Sequence, residues 1–87
     1  MITSTQLTVS TTAVQVVATS QAPKRVSLHC HNTADVYISG ANTVTSANGF
    51  LVDKAAGVFT VQIDSDEELW AIAAAGSHTL TVLVVYL

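Results

Sequence analysis

Two histidines and the only cysteine of the chain stand side by side as His29-Cys30-His31. These residue types ligate transition metals and carry nucleophilic catalysis, so their spacing matters. On an extended strand His29 and His31 share a face, roughly 7 Å apart, and offer two imidazoles to one ion. A structural zinc site needs four ligands and a catalytic one three. The remaining donors are His78 and scattered carboxylates, and Cys30 points to the opposite face. Cysteine–histidine catalysis fails on the same alternation, because a nucleophile and its base must come within hydrogen-bond reach. The expectation is that His29 and His31 are not ligands, that no metal or cofactor is bound, and that the chain is not an enzyme.

Other stretches with chemical content are weaker. The run Asp64-Ser65-Asp66-Glu67-Glu68 is acidic, but it lacks the glycine and the distal glutamate of a calcium loop. It reads as a solvated turn. Trp70 and Tyr86 are candidates for an aromatic sugar-binding platform, which keeps a carbohydrate-binding module among the alternatives. No glycine-rich stretch has the form of a phosphate loop.

The elements that would position these residues follow period 2. Val26, Leu28 and Cys30 alternate with Ser27, His29 and His31. Phe59, Val61 and Ile63 lie opposite Thr60 and Gln62. Pro23 breaks the chain after "AVQVVAT", and Asn48-Gly49, a pair that tolerates positive φ, marks a turn. The stretch "LWAIAAA" is apolar on both faces and reads as a strand, being short for a helix. About eight short strands at regular spacing predict an all-β fold, a small antiparallel β-sandwich of jelly-roll-like form. Residues 1–20 form N-terminal strands or an arm, and residues 21–87 the sandwich body, in one domain overall.

Composition points toward association. The chain has 87 residues, 49% of them hydrophobic and 10% charged, where an average soluble domain has roughly 25% charged. A folded surface with so little charge is poorly protected against contact with other chains. A single cysteine permits no internal disulfide, and a domain this small is marginal by itself. Net charge is −3, with only Lys24, Arg25 and Lys54 positive. Nucleic-acid binding is therefore not expected. Neither a bilayer-spanning run nor a signal peptide is expected either.

The last strand, "HTLTVLVVYL", makes this specific. Leu80, Val82, Val84 and Tyr86 form one apolar face. The other begins with Thr79 and Thr81 and continues with Leu83, Val85 and Leu87. The outer face of an isolated sandwich should stay polar, so these three residues need cover: a strand corner, the N-terminal arm or another subunit. Val17, an apolar residue between Gln15 and Thr19 on its face, joins Leu83, Val85 and Leu87 as a candidate contact with another subunit or a capsid.

From Lys24 to Val85 the chain resembles small β-sandwich virion proteins of tailed bacteriophages. The shared run is a basic lead-in to a strand, an "NTADVYI" hairpin, a "VTSANG" turn, a late "ELWAIA" strand and a valine-rich closing strand. The resemblance implies a capsid decoration or cement protein on the outer surface of the major capsid lattice, frequently trimeric. It implies the major capsid protein as partner beside copies of the chain itself, and location on the virion after assembly in the host cytoplasm. A head fibre base or tail protein is the alternative within the same class. No role for His29, Cys30 or His31 follows from it.

Overall fold

The computed structural model describes residues 2–19, 22–30, 35–53 and 58–87, and among them it holds eight strands and no helix. In chain order these are β1 (Ile2–Val9), β2 (Val14–Val17), β3 (Lys24–Cys30), β4 (Asp35–Ser39), β5 (Phe50–Asp53), β6 (Phe59–Ile63), β7 (Leu69–Ala73) and β8 (His78–Tyr86). They form two antiparallel four-stranded sheets. Sheet A has the order β1-β8-β3-β6 and sheet B the order β2-β7-β4-β5.

The pairing is nested: first strand with last, second with seventh, third with sixth, fourth with fifth. Every connection crosses between sheets except β4 to β5. This is the jelly-roll arrangement expected from the sequence. The first 20 residues supply an edge strand to each sheet. β1 pairs with β8 in continuous register from Ile2↔Val85 to Val9↔His78, so it lies beside Leu83 and Val85 in the ladder.

The inner faces meet in one core. Sheet A contributes Val26, Leu28 and Cys30 from β3, and Leu80, Val82 and Val84 from β8. Sheet B contributes Val36, Ile38, Val52, Leu69, Ala71 and Ala73. The small side chains of β7 let the sheets close on Leu28 and Leu80, both fully buried. Along one side Phe50 of β5 and Phe59 of β6 meet with ring centroids 5.2 Å apart and tilted planes, tying the two sheet edges together. Backbone bonds close the ends: Ala73 N–H donates to the Ser10 carbonyl at 2.8 Å, and Leu87 N–H to that of Pro23 at 3.0 Å.

Two local features depart from plain alternation. The β2–β7 ladder shifts register between Gln15 and Val17. This bulge turns Val17 inward, and at 6% exposure it belongs to this chain's own core. Val17 therefore offers almost no surface to another subunit, which corrects the expectation placed on it. The second feature is Lys24, fully buried at the start of β3. A buried ammonium is costly unless it is hydrogen-bonded. Its Nζ donates to the Ala18 carbonyl at 2.8 Å, just past the end of β2.

The β4–β5 loop explains Gly49. Thr45 and Asn48 bond reciprocally: Asn48 Oδ1 accepts from Thr45 N–H at 2.7 Å, and Thr45 Oγ1 from Asn48 N–H at 3.2 Å. Val44 is thereby driven into the interior. Among the described residues positive φ occurs at Asp66 and Gly76, and not at Gly49. Its constraint is space. A Cβ there would sit 2.7 Å from Tyr37 Cβ and 2.9 Å from Val44 Cγ2. Gly49→Ala should therefore cost about 1–3 kcal/mol, the usual range for overpacking. In a chain of this size each kcal/mol lowers Tm by about 4–8 °C. A thermal melt followed by circular dichroism measures this, and an unchanged Tm would contradict the packing around the loop.

Candidate functional site

His29 and Cys30 face opposite sides of β3. Cys30 lies in the core at 3% exposure, its Sγ 3.8 Å from the Val52 carbonyl. His29 is exposed on the outer face of sheet A, opposite Thr81 of β8. His31 lies outside the described residues. His78 is far along β8, opposite Val9, where its Nε2 lies 2.6 Å from the Ala75 carbonyl. Its Nδ1 is buried, with no hydrogen-bond partner among the described residues. Among the described residues no three His, Cys, Asp or Glu side chains gather closely enough to hold a metal, and no pocket opens.

The acidic run folds as a turn that uses its own carboxylates. Glu67 Oε1 accepts from the Asp64 backbone N–H at 2.8 Å, and Glu67 N–H donates to the Asp64 carbonyl at 3.3 Å. Asp66 adopts φ 67°, a left-handed value that Asp tolerates better than most residues. The Glu68 carboxylate accepts a hydrogen bond from Trp70 Nε1. Trp70 and Tyr86 are on different sheets, so they build no common aromatic platform. Trp70 instead shares the outer face of sheet B with Tyr37: Tyr37 pairs with Ile72, and Ser39 with Trp70, so the two rings are diagonal neighbours. The sequence gives no signal for Tyr37, because its strand is short and its partner strand is distant in the chain.

What remains as functional surface is the pair of outer sheet faces. On sheet A the cross-strand rows read directly from the registers. Val85 lies between Ile2 of β1 and Arg25 of β3, and Leu83 between Ser4 and Ser27. Further rows carry Gln6, Thr81 and His29, then Thr8 and Thr79. The serines flanking Leu83 are too short to cover it, and it stays 38% exposed. Ile2 is 67% exposed and Leu87 51%. Among the described residues neither a strand corner nor β1 folds over this patch. Its permanent charge is Arg25, and Ser27 and Thr60 share a hydroxyl hydrogen bond at 3.1 Å beside it. On sheet B the outer face carries Trp70, Ile72, Tyr37 and Leu51, with Glu68 at the rim.

The burial of Cys30 has a direct consequence. Its thiol should react with a disulfide reagent such as Ellman's only when the fold opens, at least roughly a hundredfold more slowly in buffer than in denaturant. Equal rates in both conditions would contradict the inward placement of Cys30 on β3.

No protein-family model matches the chain, and no curated protein matches it in sequence. Among solved structures it is similar to a chain of Bacillus endospore appendages, which form a family of disulfide-linked pili. The TM-score is 0.62, the identity 20%, and the alignment covers 99% of this chain and 84% of that one. At this identity the likeness is one of fold: a chain of bacterial appendages is built on a similar sandwich.

Proposed function

We propose that this chain is a structural protein that works by packing its sandwich faces against further copies of itself and against a repeated protein surface. The observation that carries this reading is the outer face of sheet A. There Ile2 and Leu83 stand exposed and Val85 half-buried among Ser, Thr and Gln, with Arg25 as the permanent charge. Water-facing sheet surfaces normally alternate to polar and charged residues. Fully burying a Leu or Val is worth roughly 1.5–3 kcal/mol, so leaving these residues in water forgoes stabilisation that a partner would supply. Weak single contacts become firm when many copies engage one lattice.

The setting we favour is the virion of a tailed bacteriophage, with the chain as a decoration or cement protein on the major capsid lattice. It rests on the sequence resemblance from Lys24 to Val85. A pilus-like appendage is the second setting, favoured by the fold likeness. That likeness meets a chemical difference. The pili are disulfide-linked, whereas the one cysteine in this sequence is Cys30, buried in the core. Copies of this sandwich would associate by surface packing, without a link through that thiol.

Changing Leu83 and Val85 together to Thr keeps β propensity while removing most of the apolar gain. The double variant should retain the wild-type circular dichroism spectrum and lose association, measured as molar mass by light scattering across a concentration series. A variant that associates as the wild type does would remove sheet A as the contact surface. A wild type of monomer mass at every concentration would defeat self-association itself, and one that also bound no capsid would end the structural reading.

A further inference from the structure

The two outer faces are complementary in charge and chemistry. Arg25 is exposed on sheet A, and among the described residues no carboxylate pairs with it. Lys24 is buried, so Arg25 is also the only exposed Lys or Arg among the described residues. It stands in the same row as Val85 and Ile2, at the border of the apolar patch. Sheet B, on the opposite side of the sandwich, offers Trp70 with the Glu68 carboxylate hydrogen-bonded to its indole, flanked by Tyr37, Ile72 and Leu51. An arginine laid on such a site gains a carboxylate partner and an aromatic face at once. Trp, Tyr and Arg are also the residues that most often anchor protein interfaces.

We propose that copies of this chain stack back to front, the Arg25–Leu83–Val85 face of one copy seated on the Trp70–Tyr37–Glu68 face of the next. The proposal rests on the self-association reading above and names its geometry. Packing sheet A against a second sheet A would instead bring two arginines into an apolar contact without a carboxylate for either, which desolvation disfavours. The molecule measures 33 × 24 × 18 Å, so a broad face is on the scale of the roughly 800 Å² per partner that standard interfaces bury. Because the two surfaces differ, the contact is heterologous. It closes into a ring if the rotation per copy allows, and otherwise extends as an open stack.

Charge exchange tests this. Arg25→Glu and Glu68→Arg should each weaken association at least about tenfold in sedimentation velocity at low salt. An equimolar mixture of the two should recover association, because each contact between unlike copies again joins an arginine to a glutamate. A misfolded variant could not rescue its partner, so rescue also verifies folding. If Glu68→Arg proves unfolded by circular dichroism, Glu68→Gln replaces it and should also weaken association. The stacking is overturned if both folded variants fail to rescue each other, or if the Glu68 variant associates like the wild type while Arg25→Glu does not. A wild type that is monomeric throughout would defeat the self-association reading, a result distinct from either of these.

Discussion

In the β3–β8 ladder the register runs from Lys24↔Tyr86 to Cys30↔Leu80 and sets two central strands side by side in sheet A. Successive side chains of a strand point to opposite faces. Once Leu80, Val82 and Val84 fill the core against Val26, Leu28 and Cys30, Leu83 and Val85 have to face outward. A one-residue slip of β8 would exchange its faces, putting Thr79 and Thr81 into the interior. The core thus fixes the register, and the register fixes an apolar outer patch that the core has no means of covering.

The edges of the sandwich sharpen that consequence. Sheet A ends at β1 and β6, and sheet B at β2 and β5. Natural sheets blunt such edges with charge, proline or bulges. Here β2 carries a bulge, while β1 has eight residues without a charge or a proline. Low charge on faces and edges alike fits a molecule surrounded by protein. The one buried cation among the described residues, Lys24, serves the interior: its ammonium holds the Ala18 carbonyl while the start of β3 stays in the core row. It contributes nothing to solubility, which leaves Arg25 as the exposed cation of the described surface.

Much of this is legible in the residue pattern alone. Alternation assigns the inward residues of β3 and β8 and the inward end of β6, and it marks Leu83 and Val85 as outward apolar residues. The apolar run "LWAIAAA" reads as a strand, and β7 is one, carrying Ala71 and Ala73 inward with Trp70 and Ile72 outward. What alternation does not convey is where it breaks and what lies across the fold. The bulge at Gln15–Val17 moves Val17 from the outer face into the core. Asn48-Gly49 suggests a positive φ, yet the glycine is required by the closeness of Tyr37 and Val44. Trp70 and Tyr86 look like one platform and are divided between sheets, while Trp70 and Tyr37 are neighbours because β4 pairs with β7. Such pairings are non-local, and a period-2 pattern carries no information about strand order.

The proposed coverage of the outer sheet faces by other copies of the chain has a built-in reporter. Trp70 is the chain's one tryptophan and is half-buried on sheet B. Acrylamide quenching of its fluorescence can be followed over a dilution series in which sedimentation shows both monomer and assembly. Stacking of the faces predicts that Trp70 is shielded in the assembled protein and becomes accessible as the assemblies dissociate. Equal quenching of monomer and assembly would contradict it, because the association would then leave the face of sheet B open to water.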